Sequence, residues 1–359
     1  MTAPGQGAFR IVVVAVICTL AGCTAIEFYW QGIAGQAEIL ARAKPISEVI
    51  EATPDPALKA RLARARAIRE FATRELALPD NRSYTSYADL GRPFVVWNVF
   101  AAPELSLSPR QWCFPVAGCV SYRGYFAEGD ARAEAVRLAA QGDDVHVGGV
   151  PAYSTLGYFD DPVLSTFVRY REVELARLIF HELAHQVVYV KDDSSFNESF
   201  ATAVEEEGVA RWLAAESSKR DSAGAAALAA DAARGQRVRA DFRAMLASAR
   251  ARLAVLYAGS ASDEEKRAAK AAVFGEMRAG NERQKAASDG ASTFDLWFAA
   301  GANNAGVVAA GLYADRVPQF KALLDAEQGD LVRFYGRVKA LAALPKAERE
   351  PALAEAPRR

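Results

Sequence analysis

The chain has 359 residues, enough for one large domain or two modest ones, and 51% of them are hydrophobic, enough to bury a substantial core. A net charge of −1, with no basic run carrying interleaved aromatics, sets nucleic acid aside as a partner.

The N-terminus reads as a targeting segment. Arg10 precedes an apolar run from Ile11 to Ala21 that is too short to span a bilayer comfortably. The run ends in Leu20-Ala21-Gly22-Cys23, which resembles a lipobox, with small residues ahead of a cysteine that becomes lipidated and then N-terminal. The rival readings are a retained anchor helix and an ordinary secretory signal. Residues 1–22 are accordingly expected to be a lipoprotein signal peptide, with Cys23 as the lipid anchor. Thr24 rather than Asp follows the cysteine, and the resemblance then implies the outer membrane, with the chain facing the periplasm. Acyl chains would tie the protein to the membrane without a transmembrane helix.

Residues 23–90 are expected to form an N-terminal helical segment. Phe28 to Pro45 reads as helix, and Asp55-Pro56 opens another that runs to about Leu76. From Arg92 the pattern changes. Phe94 to Phe100 and Val120 to Phe126 are rich in β-branched and aromatic residues and read as strands. Cys18 leaves with the signal, so the mature chain keeps Cys113 and Cys119 besides the anchor. An isolated pair closing a small loop in an oxidising compartment reads as a disulfide; a two-cysteine metal site would need a histidine that is not nearby. Ala131 to Ala140 reads as a short helix and Val145 to Val150 as a further strand. His146 reads as a strand-end polar residue rather than a ligand.

His181-Glu182-Leu183-Ala184-His185 is the stretch that carries chemistry. Leu175, Leu178, Ile179, Leu183 and Val187 recur at helical spacing, with no Pro or Gly from Arg169 to Val190. On such a helix His181 and His185 share a face, and two neutral imidazoles at that spacing suit zinc. Glu182 sits where it can take a proton from an activated water. A catalytic zinc site usually takes a third protein ligand, and Glu198 is the obvious supplier. The rival reading is a surface helix with a chance histidine pair.

These residues resemble the gluzincin metallopeptidases, in which HExxH supplies two zinc ligands and the base, and a following helix opening in Asn-Glu supplies the third ligand. Asn197-Glu198-Ser199-Phe200-Ala201 is similar to the Asn-Glu-Gly-Phe-Ala segment of aminopeptidase N relatives. Only twelve residues separate His185 from Glu198, fewer than in the better-known gluzincins, so Lys191 to Phe196 must make a tighter turn. A closer resemblance covers most of the chain. Trp112 to Pro115, Tyr122 to Phe126, Tyr153 to Pro162 and the HELAH and NESFA blocks resemble a family of bacterial lipoproteins labelled predicted aminopeptidases. The label implies exopeptidase activity on a peptide substrate and one Zn2+ per chain.

Gluzincins bind extended substrate on an edge strand about thirty residues upstream of the first zinc histidine. That offset lands on Gly149 to Tyr153, and the substrate strand is expected at Ala152 to Gly157, with Ala152 and Tyr153 binding substrate. The Gly-Ala-Met-Glu-Asn motif that holds the substrate amine in aminopeptidase N is absent, which leaves Asp160, Asp161 and Glu205 as candidates. Each reads equally as a cap or solvated acid. Tyr158, Tyr189 and Tyr313 are candidate donors to the oxyanion, against the commoner reading of aromatics as core. Thr202 lies on the Glu198 face and either supports a ligand or simply packs.

Gly208 to about Ala258 is rich in Ala, Arg and Glu and reads as a long, largely exposed helical pair, with a projecting arm as one form it could take. Ser262-Asp263-Glu264-Glu265 is a capping box opening the next helix, Asn303-Asn304-Ala305 starts one carrying Tyr313, and Asp330 starts another. The tail from Pro345 is expected to fray. The fold class expected is α+β, a small mixed sheet followed by a mainly helical gluzincin-like catalytic region with a long helical C-terminal part. Its divisions are 91–205 for the sheet and zinc helices, 206–345 for the helical region and 346–359 for the tail.

The sequence reading is thus a zinc-dependent peptidase, an aminopeptidase by resemblance. The alternatives are a zinc endopeptidase of the envelope and a non-catalytic lipoprotein that keeps the fold. Retention of Glu182 argues against the last, because ligation alone would not require it.

Overall fold

A computed structural model describes residues 28–114, 118–287, 294–311 and 316–355. The expected signal peptide, Cys23 and Tyr313 lie outside these residues. The fold is α+β: all strands among the described residues lie between Lys44 and Leu164, and from Glu172 onward every regular element is a helix. None of the described helices is long and apolar enough to cross a membrane.

The N-terminal part holds helix α1 (28–42), a two-residue strand β1 (Lys44–Pro45), α2 (Ile46–Ala52) and α3 (Pro56–Leu76). Asp55 caps α3 by accepting from Ala57 N at 2.8 Å, with Pro56 in the first turn where its missing N–H costs nothing. Ala77, at φ 50°, ends the helix in the left-handed region.

Eight short strands among the described residues follow the sequence pattern in part. β1 pairs with β2 (Ser86–Ala88), which runs parallel to β8 (Val163–Leu164). In the second sheet β3 (Val96–Pro103) lies between β6 (Arg123–Tyr125) and β7 (Asp143–Val150), antiparallel to both. β3 is buried from Val96 to Ala102 because both faces are covered. Trp97, Val99 and Ala101 pack against α4 (Glu128–Ala139) through Ala131 and Leu138. Phe100, on the other face, packs against Ala305 and Ala309 of α10 (Asn304–Gly311).

The strand expected over Val120 to Phe126 is broken. Its first residue belongs to β5 (Gly118–Val120), which pairs with β4 (Trp112–Phe114) across the Cys113–Cys119 disulfide, while β6 pairs with β3. Ser121 and Tyr122 turn the chain between them, with Ser121 accepting from Gln111 at 2.8 Å. His146 is not at a strand end. It lies within β7, 4% exposed, against Phe100 and Trp297, and burial drives its pKa down to about 4.

Helix α5 (Glu172–Ala184) packs against α6 (Ser194–Ser217), and α3 lies against both. Gly208 is required at this crossing: a Cβ there would stand 2.7 Å from a ring carbon of Phe180 and 2.8 Å from a methyl of Leu76. One buried cluster runs from Ile39 through both helices to Leu353, so the expected segments 23–90, 91–205 and 206–345 share a core.

Two further expectations differ from the structure. The helical pair is largely exposed, as expected, but one stripe of it is buried, so it is no free arm. Phe242, Leu246, Ala249 and Leu253 of α7 (Ser222–Ala258) close over Val273, Phe274 and Met277 of α8 (Asp263–Ala287), with Trp297 and Val307 packed against them. The tail does not fray at Pro345: α13 (Lys346–Ala354) buries Arg349 and Leu353 against the helices α11 (Val317–Ala326) and α12 (Leu331–Ala342). Arg349 donates to the buried Asp193 at 2.7 Å, and Asp193 caps α6 by accepting from Phe196 N at 3.2 Å.

Candidate metal centre

The centre is built on the contact between α5 and α6. Val173, Ala176, Ile179, Phe180 and Leu183 drive α5 into the core, which turns His181, Glu182 and His185 toward α6. His185 follows the last helical residue but keeps helical backbone angles, so the histidine spacing of one turn survives. The short connection to α6 is held by Asn197. Its side chain accepts from Val190 N at 2.7 Å and donates to Val190 O at 2.8 Å, locking the loop to the helix it feeds. Asp192, at φ 65°, makes the tight turn, and its carboxylate also accepts from Cys119 N of the disulfide hairpin.

His181 Nε2 then stands 3.2 Å from His185 Nε2 and 3.2 Å from a Glu198 carboxylate oxygen, while His185 Nε2 is 3.8 Å from that oxygen. Three donors bound tetrahedrally at the usual zinc distances are roughly 3.3 Å apart. The observed spacing fits, and the donor set (two imidazoles and one carboxylate) suits a divalent cation of zinc's type. Burial lowers the His185 pKa to about 4, which keeps it neutral, as a ligand must be. Burial would also lower that of His181, but Glu198 and Glu205 outweigh it and raise the pKa well above the usual range, so a cation at this point displaces a proton. Burial likewise works against the charge on Glu198, but the two histidines hold its carboxyl below the ordinary range.

Glu205 stands behind the ligands. It accepts from His181 Nδ1–H at 2.9 Å, which directs Nε2 to the convergence point, and its other oxygen pairs with Arg177. Arg177 and the burial of Glu205 together set its charge: burial raises the carboxyl, and Arg177 with His181 lowers it further. Glu182, between the histidines, has its pKa pushed up to about 7 by burial, against His181 and with help from Glu198. A carboxylate poised there exchanges protons readily at neutral pH.

Among the tyrosines, Tyr122 was not singled out by the sequence. It comes from the break between β5 and β6, where burial and the nearby charges of Glu198 and Glu182 hold its phenol protonated. Tyr189 is raised by burial and Glu198 in the same way. Tyr158 is 74% exposed beside Arg82 and Asp160, over a groove that none of the three ligands lines. Thr202 is buried beside His181 and Glu205 in the pocket wall. Periodicity placed Glu205 and Arg177 within reach, since Arg177 lies four residues before His181. Nothing in the sequence marks Tyr122, which arrives from a turn.

The substrate strand expected over Ala152 to Gly157 is absent. β7 ends at Val150 and is itself the edge of its sheet among the described residues. Beyond it the backbone groups are used locally: Thr166 donates to Pro151 O at 2.6 Å and Thr155 N to Asp161 at 2.9 Å. Ala152 is buried, and the Tyr153 hydroxyl donates to Gln36, away from the ligands. The three acids considered for the substrate amine are all engaged. Glu205 holds His181, Asp160 pairs with Arg82 at 2.7 Å, and Asp161 accepts from Thr155 while burial pushes it up to about 6.

A pocket of about 390 Å³ reaches the centre from one side, touching His181 and Glu182. Its walls come from α5, α6 and, through Phe242 and Leu246, from α7.

A family model described as "Putative aminopeptidase" matches residues 27–353. No curated relative and no solved structure matches the chain. The match spans nearly the whole chain, which therefore belongs to that family.

Proposed function

We propose that this member of the aminopeptidase family is a zinc-dependent, gluzincin-type enzyme that removes N-terminal residues from peptides in the periplasm, tied to the outer membrane through lipidated Cys23. The observation that carries the hydrolytic part is the convergence of His181 Nε2, His185 Nε2 and a Glu198 oxygen at 3.2–3.8 Å, with Glu182 on the intervening turn. The anchor rests on Leu20-Ala21-Gly22-Cys23. Zinc held by these three residues would polarise the scissile carbonyl and acidify a water.

The chain's own groups then do the proton work. Glu182 takes a proton from the attacking water on its carboxylate and delivers it to the departing amine nitrogen. Its pKa of about 7 suits both directions of transfer. Glu205 keeps His181 in the tautomer whose Nε2 lone pair faces inward. Tyr122 and Tyr189, both kept protonated, are the candidate O–H donors to the oxyanion that develops on the carbonyl.

One observation favours the endopeptidase reading over the exopeptidase one: Glu205, Asp160 and Asp161 all have partners already. The test is metal analysis of wild type and Glu182→Gln, with hydrolysis measured on free and N-blocked peptides. Stoichiometric zinc in both proteins, with activity lost only in the variant, supports the metallopeptidase. Equal cleavage of blocked and free peptides removes the aminopeptidase assignment. Wild-type protein without zinc removes both.

A further inference from the structure

We propose that the pocket beside Glu182 selects peptides with a bulky apolar residue on the amine side of the bond cut, and that α7 supplies the selecting wall. The inference rests on the peptidase reading above.

Size and lining agree. About 390 Å³ lies within the range of small-molecule pockets and exceeds what one aromatic side chain fills. Its apolar surface comes from Leu178 of α5, Phe242 and Leu246 of α7, and Phe294. Phe294 stacks on Phe242 with ring centroids 3.7 Å apart, which braces that wall. Helix α7 is tied to α5 by Arg239 to Glu174 at 2.6 Å and by Arg171 to Asp231.

Charge excludes the alternatives. The three arginines of the pocket are each committed to an acid: Arg177 to Glu205, Arg239 to Glu174, and Arg243 to Glu206 at 3.5 Å. A charged side chain entering would have to break one of these pairs or be desolvated without a partner, and either is unfavourable. An apolar side chain gains by burial and disturbs none of them.

The side of the scissile bond follows from which centre residues face the pocket. His181 and Glu182 line it; His185 and Glu198 do not. Glu182 delivers its proton to the departing nitrogen, so the pocket opens beside the residue that carries that nitrogen. The helical hairpin after the metal helices therefore sets substrate choice as well as packing the fold.

The test uses zinc-loaded full-length protein and two peptide series, Ala-Xaa-Ala amides and Xaa-Ala-Ala amides, with Xaa as Gly, Ala, Leu, Phe, Lys or Asp. In the first series Leu and Phe should exceed Gly in kcat/KM by roughly 10- to 100-fold, with Lys and Asp at or below Gly. The second series should be flatter. Leu246→Trp should lower the Phe-to-Gly ratio at least tenfold by filling the pocket. Leu246→Ala, which enlarges it, should raise the ratio of Trp to Phe when Trp is added to the first series. Binding of the first series to Glu182→Gln supplies a readout that needs no turnover and should follow the same ranking. A flat ranking in cleavage and binding, or a ratio that neither Leu246 variant moves, overturns the pocket assignment. If wild type cleaves no peptide while Glu182→Gln still ranks Phe above Gly, the peptidase reading fails and the pocket stands.

Discussion

Replacing Glu205 tests whether the centre is organised from behind. Its carboxylate accepts from His181 Nδ1 at 2.9 Å and pairs with Arg177, and both acid and base are nearly buried, at 11% and 14% side-chain exposure. Loss of such a supporting carboxylate typically lowers metal affinity 10- to 100-fold, about 1.4–2.7 kcal/mol. Glu205→Gln keeps an acceptor for the imidazole N–H and loses only the charge, so it should lie near the tenfold end; Glu205→Ala should lie near the other. Either variant also takes from Arg177 its closer partner and leaves only Glu174 at 3.9 Å, which costs up to about 3 kcal/mol of folding stability. The double variant Arg177→Met/Glu205→Gln separates the effects: stability should recover while zinc affinity should not. The assays are chelator competition for zinc and urea unfolding of the apo-protein. Zinc affinity in Glu205→Ala within twofold of wild type, with the fold intact, would refute the argument.

Glu182→Gln should retain zinc and lower kcat by 10²- to 10⁴-fold, as expected for loss of a general base, read by metal analysis beside a peptide assay. Arg349→Met should destabilise the protein by up to about 3 kcal/mol, because the Asp193 carboxylate at 2% exposure would lose its closer partner and keep only Arg316 at 3.4 Å; urea unfolding measures it. His146 titrates near 4 in the fold and near 6.5 when unfolded, so its contribution is complete above about 6.5 and is lost as pH falls toward 4, up to about 3 kcal/mol. His146→Phe should therefore flatten the acid limb of the stability curve relative to wild type, and parallel curves would count against this. Replacing both Cys113 and Cys119 by Ser should cost about 2 kcal/mol for so short a loop, visible as a lower Tm.

The candidate metal centre was legible in the sequence because helical spacing is local: His181, His185 and Glu182 needed only α5, and Asn197-Glu198 only a second helix close behind. The caps were legible for the same reason, as Ser262 and Glu265 show by their reciprocal bonds. Long-range placement was not. Tyr122 reaches the site from a turn whose course depends on which partners β5 and β6 choose. The substrate strand is misplaced because Ala152 to Gly157 reads as extended, whereas from Pro151 local bonds take over the backbone; the offset itself reaches Gly149 and Val150 at the end of edge strand β7. The α7 stripe Phe242, Leu246, Ala249 and Leu253 is visible at helical spacing, but the abundance of Ala and Arg around it suggested exposure. Composition averaged over a helix hides the narrow face that packs.

The link between Asp193 and Arg349 has a consequence for biogenesis. The two residues are 156 positions apart, yet the bond between them, with Arg316 beside it, holds the carboxylate that caps the helix bringing Glu198 to the histidines. A nascent chain can wind α5 and α6 early, but the junction stays incomplete until Arg349 has been delivered and docked. Ion capture during refolding should consequently lag behind helix formation, and a stop codon ahead of Lys346 should yield a protein that binds its cation poorly despite carrying every ligand.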